Sequence, residues 1–280
     1  MSKDDHVVCV HPTYQQLLEV PAGLGAKVDL WRLEAAEAWK YNIERLEALL
    51  RPTTKLLVLN NPNNPTGSVM DRSTLSSVVE MVRAKAPDCL ILSDEVYRPL
   101  FHSTQTPPSI LDMGYRNVIA TGSLSKAWSL AGIRLGWIAT PRQDLIEHFA
   151  GWRDYNTICV SMLDDAVAVA VLQPKVMNLL LKRNTDLAKT NLRLLSDWMQ
   201  EHPDFTWTKP LAGTTAFIQL PDKLSDDVAF CERLYREQGV LLGPGSCFDW
   251  PGFVRIGYVC DTQTLREGLD KATCMLAGCN

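Results

Sequence analysis

The chain has 280 residues, of which 46% are hydrophobic and 21% are charged, so it can bury a large core in one or two domains. Its 28 basic and 32 acidic side chains give a net charge of −4, which leaves no basic surplus for a nucleic-acid backbone. No apolar run reaches membrane-spanning length and the first residues lack a signal-peptide core, so we expect a cytoplasmic protein with neither nucleic acid nor membrane as partner.

Eight cysteines are spread along the chain, and none of them forms a C-x-x-C pair. This spacing indicates neither a zinc site nor the dense disulfide framework of a small secreted domain. We therefore predict reduced thiols and no bound metal.

Short apolar runs alternate with longer helical patterns over residues 1–173. The runs predict buried strands, namely "HVVCV", "KLLVLN", "CLILSD", "NVIAT" and "LGWIAT". The stretches between them predict helices, among them "IERLEALL", "STLSSVVEMVRAKA" and "QDLIEHFAGWRDY". Such alternation is typical of an α/β fold, and we predict a three-layer α/β/α large domain around a mostly parallel sheet.

The pattern changes at about Pro174. One long helical stretch over residues 174–202 is followed by shorter elements, namely the strand "TAFIQL", the helix "DDVAFCERLYREQG", the strand "GFVRIGYV" and a terminal helix. We predict that residues 174–280 form a smaller α+β C-terminal domain, which begins with the long helix.

Polar residues follow three consecutive predicted strands of the large domain. They are "NNPNNPTG" at 60–67, "SDEVY" at 93–97 and "TGSLSKAW" at 121–128. Each alone has an ordinary structural explanation: a sharp turn, a capping Asp beside a half-buried Tyr, or a solvated lysine. Together they bring polar groups to one edge of the sheet, which is where ligands bind in doubly wound folds. The sequence therefore predicts a ligand site at this edge.

The residues of this edge match the requirements of pyridoxal phosphate. A lysine that forms a Schiff base with an aldehyde needs a site that favours its neutral amine, with no carboxylate paired to it. This cofactor also needs an acid at its pyridine nitrogen, so that the ring can act as an electron sink. Lys126 and Asp94 supply these two groups.

Other polar residues of the same edge suit the rest of the cofactor. A phenol and an amide near the 3′ oxygen would tune the cofactor, and Tyr97 and Asn64 supply those groups. The phosphate needs hydroxyls and an arginine, which Ser123, Ser125 and Arg134 provide. Lys126 and Arg134 would then bind opposite ends of one small molecule.

Four segments occur in an order and spacing that resemble the class I/II aminotransferases, which are fold-type I pyridoxal-phosphate enzymes: "NNPNNPTG", "SDEVY", "SLSKAWSLAGIRLGW" and "FVRIGYV". The resemblance covers nearly the whole chain. It implies a homodimer that acts on an amino acid and a 2-oxo acid. It also implies that Lys126 is the Schiff-base lysine, that Asp94 and Tyr97 are catalytic, and that Asn64 contacts both cofactor and substrate.

The resemblance adds two residues. Tyr14, in "HPTYQQL", matches the aromatic residue that stacks on the cofactor ring, although a core tyrosine at a helix start would look the same. Arg255, in "FVRIGYV", matches the arginine that grips the substrate α-carboxylate, although it could instead lie on an exposed strand face. A bidentate guanidinium suits a carboxylate.

Three functions stay open at this point. The first is an aminotransferase. The second is a pyridoxal-phosphate lyase or cyclase, because "HPTYQQL", "RDYNTI" and "GPGSCFDWPGFVRIGY" resemble capreomycidine synthases. The third is a non-catalytic remnant, because this sequence begins a few residues before "HVVCV" and has no counterpart of the family's N-terminal arm, first strand and phosphate-binding loop. From that difference we expect weak cofactor binding and poor solubility of the 280-residue chain.

Overall fold

The computed structural model describes residues 2–103 and 106–278, and its larger part is built on a six-stranded sheet. The strand order is β2-β1-β3-β4-β5-β6, with β1–β5 parallel and β6 antiparallel to β5. This sheet confirms the predicted α/β fold class. The strands are β1 (His6–His11), β2 (Lys27–Arg32), β3 (Thr54–Asn60), β4 (Leu90–Asp94), β5 (Val118–Ser123) and β6 (Gly136–Ala139).

Both faces of this sheet are covered near its centre. Successive β1 side chains point to opposite faces: Val8 and Val10 belong to the cluster that includes α2 and α3, whereas Val7 and Cys9 pack with α1 residues. Burial on both faces explains why the central strands are continuous apolar runs. The helices of this part are α1 (Gln15–Gly23), α2 (Ile43–Leu49), α3 (Arg72–Lys85), α4 (Gln143–Arg153) and α5 (Met162–Val171).

The prediction of a buried strand at "LGWIAT" is wrong for β6. Trp137 is 41% exposed and Ile138 is 47% exposed, because β6 pairs with β5 on one side and has no second neighbour in the described part of the chain. An apolar run indicates that a segment can be buried. Whether the strand lies at the centre or the edge of the sheet depends on the order of the strands. A search for apolar runs also misses β2, because its sequence KVDLWR contains three charged residues.

A second sheet of four antiparallel strands follows the long helix that begins at Pro174, in the order β7-β8-β10-β9. A second hydrophobic cluster contains residues of this sheet and of the three helices of this part, together with Ala168 and Val171 of α5. The boundary at residue 174 between two domains stays a prediction. The elements are α6 (Pro174–Glu201), β7 (Thr206–Trp207), β8 (Thr215–Gln219), α7 (Asp227–Gln238), β9 (Gly243–Pro244), β10 (Phe253–Gly257) and α8 (Thr262–Leu276).

The segment before β8 joins the two sheets. The Leu211 amide donates to the Gly67 carbonyl, and Phe101 forms an isolated bridge with Ala212. Gly67 has a φ of +68°, and a Cβ there would lie 2.5 Å from the Pro210 side chain. This close approach requires a glycine, and it brings the start of β8 to the edge of the large sheet.

The described residues contain no helix that is both long and apolar enough to cross a membrane. They also contain no group of three or more His, Cys, Asp or Glu side chains that could hold a metal ion. Six cysteines of this part of the chain are free thiols, namely Cys9, Cys89, Cys159, Cys231, Cys247 and Cys260. Burial raises the pKa of Cys9 and Cys89 to about 12, so both thiols stay protonated at neutral pH.

Candidate active site

One cavity of about 590 Å³ lies at the carboxyl ends of β3, β4 and β5, the edge where a ligand site was predicted. All the site residues that the sequence predicted line it, namely Tyr14, Asn64, Asp94, Tyr97, Ser123, Ser125, Lys126, Arg134 and Arg255. They come from both sheets and span most of the chain. Their convergence is a geometric result, whereas the role of each residue stays a prediction.

Asp94 is the last residue of β4, and two donors orient its carboxylate. Its Oδ1 accepts a hydrogen bond of 2.9 Å from the Thr121 hydroxyl and one of 3.2 Å from the Val96 amide. Thr121 is the direct partner of Asp94 in the parallel β4–β5 pairing. The register of the sheet therefore sets the direction of this carboxylate.

Burial raises the pKa of Asp94 above its usual range. The hydrogen bonds from Thr121 and Val96 act in the opposite direction, and so does the positive charge of Lys126. A cation placed against this carboxylate would also act to lower its pKa. The carboxylate is thus desolvated and suited to pairing with a protonated nitrogen.

Tyr97 lies in the turn that follows β4, and its side chain is buried. Its ring packs against Gly213, which has a φ of +78°, and a Cβ on that glycine would lie 3.4 Å from the ring. Burial is the largest cause of a raised pKa at Tyr97, so the phenol is neutral at neutral pH.

The loop at residues 60–67, which we call the asparagine loop, is held by its own side chains. Asn60 Oδ1 accepts from the Asn64 amide at 2.8 Å, and Asn63 Oδ1 accepts from the Thr66 hydroxyl at 2.8 Å. Asn64 Oδ1 instead accepts from Arg255 Nη1 at 3.4 Å. Most asparagines of the loop therefore shape the turn, and Asn64 presents its side chain to the cavity.

Lys126 lies in the loop at residues 123–134, which we call the lysine loop. Its neighbours anchor the loop: Leu124 and Ala127 are buried, and the Ala127 carbonyl accepts from Asn184 Nδ2 at 2.8 Å. Lys126 itself is exposed, and it forms no ion pair with a carboxylate of residues 2–103 or 106–278. Its amine is thus available to a ligand in the cavity.

The remaining polar groups of the lysine loop have few partners. Ser123 Oγ accepts from the Ser125 amide at 3.1 Å. Arg134 has a φ of +50° at the end of a short turn, and its Nη1 donates to the Ala131 carbonyl at 2.8 Å. The rest of its guanidinium is open, so two hydroxyls and a cation are available for an anion.

The structural alternatives for Tyr14 and Arg255 are wrong. Tyr14 directly precedes α1 and is 39% exposed, so it is not a core residue. Arg255 lies in β10 and is half-buried, with its guanidinium 5.1 Å from the centre of the Phe248 ring. Phe248 and Asn64 together hold the Arg255 fork at the cavity.

Four further polar residues line the cavity and were not predicted, namely Asn60, Thr121, Thr214 and Thr215. Thr121 could have been found by aligning "NVIATG" with "CLILSD", because both are apolar runs that end in polar residues at neighbouring strands. Thr214 and Thr215 carry no such signal, because only the packing of the second sheet brings them to the cavity.

The sequence matches the family model described as aminotransferase class I and II over residues 1–271. The chain belongs to this family. It is 31% identical over 266 residues to capreomycidine synthase of Streptomyces vinaceus. This match covers 95% of this chain and 67% of that protein. It is 28% identical to aspartate aminotransferase of Thermotoga maritima, with 95% of this chain and 68% of that protein covered.

The fold comparison agrees with the family match. A crystal structure of a PLP-dependent aminotransferase from Streptococcus suis superposes with a TM-score of 0.92 and 40% identity, over 100% of this chain and 72% of that chain. This chain spans about two thirds of the length of capreomycidine synthase and of aspartate aminotransferase, the two curated relatives named above.

These findings confirm the family resemblance that the four segments predicted. They support an aminotransferase and do not favour the lyase or the remnant. Membership of the family implies dependence on pyridoxal phosphate and substrates of the amino-acid and 2-oxo-acid type.

Proposed function

We propose that this aminotransferase chain transfers an amino group between an amino acid and a 2-oxo acid with pyridoxal phosphate as cofactor. The observation that carries the proposal is the single cavity lined by every predicted site residue. Asn64, Asp94 and Ser123 lie at or just after the carboxyl ends of the neighbouring strands β3, β4 and β5. Arg255 reaches the same cavity from the second sheet.

The chemistry of the cavity fits the cofactor. The half-buried carboxylate of Asp94 suits the protonated pyridine nitrogen, and the unpaired Lys126 amine suits the aldehyde. Ser123, Ser125 and Arg134 are available for the phosphate. When bound, pyridoxal phosphate supplies a ring that withdraws electrons from the α carbon of the substrate.

Asp94 and Lys126 do the chemical work in this proposal. Asp94, oriented by Thr121 and Val96, holds a proton on the ring nitrogen. Lys126 Nζ would hold the aldehyde of the cofactor before the substrate arrives, and it would then move the proton of the substrate α carbon to the former aldehyde carbon of the cofactor. This amine forms no ion pair with a carboxylate of the described residues.

Arg255 and Asn64 bind the substrate carboxylate. The Phe248 ring and the Asn64 oxygen fix the plane of the Arg255 guanidinium, which leaves donors for a bidentate contact. Tyr97 would donate its hydroxyl to the 3′ oxygen of the cofactor, and Tyr14 would stack on the ring; both side chains line the cavity.

Absorbance spectroscopy tests the proposal. The purified chain with added pyridoxal phosphate should develop a visible band, and an amino acid should convert it to the pyridoxamine form, which a 2-oxo acid then reverses. Borohydride reduction and peptide mapping should place the cofactor mass on Lys126. Lys126→Ala should abolish the label, whereas Lys175→Ala, on α6, should not.

The other outcomes are distinct. A lyase or cyclase would return to its original spectrum without accumulating pyridoxamine phosphate. A chain that shows no visible band at any cofactor concentration would contradict the proposal. A label on another lysine would contradict the assignment of Lys126 alone.

We also propose that the chain works as a homodimer. Support comes from large apolar side chains exposed on the α4–α5 surface, where Trp152, Met162 and Leu163 are 60%, 86% and 81% exposed. A monomeric protein rarely leaves so many apolar groups in water. Light scattering after gel filtration should give about twice the 31.3 kDa chain mass, and Leu163→Lys should lower it. A single-chain mass at every concentration would contradict the dimer.

A further inference from the structure

A second cavity shares no lining residue with the candidate active site. It measures about 790 Å³ and lies between α6 and the segment at residues 209–211. We call it the basic pocket, and its charged or titratable lining residues are His102, Asp186, Lys189, Arg193 and Lys209.

The charges of the basic pocket do not balance. Three lining residues are cations, and the carboxylate of Asp186 is bonded to Lys182 at 2.6 Å on the surface of α6. Lys189, Arg193 and Lys209 form no ion pair with any carboxylate in the described part of the chain. Lys189 and Arg193 are four residues apart on α6, so they project from the same face of that helix.

His102 adds a buried polar atom without a partner. Its Nε2 lies 2.6 Å from the Tyr258 hydroxyl, and that hydroxyl donates to the Gly213 carbonyl at 3.0 Å. Nε2 therefore carries the proton, and it donates to Tyr258. Nδ1 is buried and has no hydrogen-bond partner among the described residues. A buried group of this kind is destabilising unless a ligand or water satisfies it.

The pKa of His102 shows that the cations act on the pocket. It is lowered to about 4, first by burial and then by the positive charges of Lys189 and Lys209. No carboxylate in the described part of the chain is paired with these lysines. A bound anion would neutralise the lysines, whereas Nδ1, which carries no proton, would accept a hydrogen bond from a water molecule or a ligand hydroxyl.

We propose that the basic pocket binds a phosphate monoester. Because the Asp186 carboxylate is already paired with Lys182, the positive charges of Lys189, Arg193 and Lys209 are available to a dianion. The cavity is far larger than a phosphate ion, and Leu192, Pro210 and Leu211 provide an apolar wall for the carbon part of the ligand. Among the described residues, the guanidinium of Arg193 donates only to Thr190, which leaves its other donors for phosphate oxygens.

Calorimetric titration with phenyl phosphate tests this site. The Arg134→Ala chain is the background, because that change weakens the phosphate-binding group of the active site and isolates the basic pocket. We expect one molecule bound per chain. Lys189→Glu and Lys209→Glu should each weaken binding by about tenfold or more, because each removes a charge-assisted contact. Lys209 is exposed, so its variant should fold even if the half-buried Lys189 does not tolerate the change.

Lys175→Glu makes the same charge change on α6 outside the pocket and should leave the affinity unchanged. Unaltered binding in both Lys189→Glu and Lys209→Glu would overturn the proposal. Binding that Arg134→Ala abolishes would also overturn it, since the phosphate would then belong to the active site.

Two further ligands define the chemistry. Inorganic phosphate should bind more weakly than phenyl phosphate, because it leaves the apolar wall unused. Benzoate should bind more weakly still, because it carries one charge. Equal affinity for phenyl phosphate and inorganic phosphate would overturn the assignment to a monoester, and tighter binding of benzoate would overturn the assignment to a dianion. A visible cofactor band that persists in Lys209→Glu separates this test from the proposed function.

Discussion

The asparagine loop and the lysine loop line the same cavity, but they are built differently. Residues 60–67 of the asparagine loop are all buried, and their side chains bond to one another and to the Pro12 carbonyl. In the lysine loop, Lys126 and Arg134 are exposed, and the hydroxyl of Ser125 makes no hydrogen bond with the described residues.

This difference indicates a division of labour within the site. A network of satisfied buried polar groups is rigid and defines one geometry. The asparagine loop, with Asp94 and Tyr97 beside it, thus forms a preorganised side that positions the cofactor ring and substrate. The lysine loop keeps its donors free for the aldehyde and the phosphate.

The largest effect should come from the preorganised carboxylate. Asp94→Asn removes the charge that holds a proton on the ring nitrogen but keeps the size of the side chain. We expect kcat to fall by about a hundredfold or more, since single preorganised groups contribute about 3 kcal/mol or more. Steady-state kinetics measure this, with the exposed Asp88→Asn as control. Activity within tenfold of the unmodified chain would refute the role of Asp94.

Arg255 tests whether the second sheet completes the substrate site. Arg255→Ala should raise KM for amino acids by about tenfold to a hundredfold, the range expected for charge-assisted hydrogen bonds. KM for decarboxylated amines should change far less. Arg255→Lys should rescue poorly, because lysine lacks the planar fork. Equal losses for acids and amines would make Arg255 a structural residue.

Substitutions in the asparagine loop should lower the free energy of unfolding more than substitutions in the lysine loop. Asn63→Ala leaves the Pro12 carbonyl and the Thr66 amide without partners, so the free energy of unfolding should fall by about 1–3 kcal/mol. Ser125→Ala should change it by less than about 0.5 kcal/mol. Urea unfolding measures both variants. Equal losses would show that the lysine loop is as tightly built as the asparagine loop.

The smallest effect should come from Thr121, which acts through Asp94. Thr121→Val removes a hydrogen bond that lowers the pKa of Asp94, so that pKa should rise. Because the ionised carboxylate is the active form, the acidic limb of the kcat/KM profile should move to higher pH. At neutral pH the rate should fall by no more than about tenfold. Thr121→Ser keeps the hydroxyl and should leave the profile unchanged. An unmoved limb in the valine variant would mean that Thr121 does not tune Asp94.

The sequence by itself was enough to predict the α/β class and nine of the residues that line the cavity. An apolar run indicates a buried strand, and the polar residues that follow it mark the carboxyl end of that strand. Both signals can be seen in a short stretch of sequence. That is why Asp94, Asn64 and Lys126 could be placed on one edge before any coordinates were known.

Tertiary structure decided the rest, because each remaining feature joins residues that are far apart in the chain. Strand order left β6 at an exposed edge, and strand register placed Thr121 against Asp94. Only packing between the two sheets decided that Asn64, rather than another asparagine, meets Arg255. The basic pocket is likewise a product of tertiary packing, since His102 and Lys209 lie far from each other in sequence and meet residues of α6 only in the folded chain.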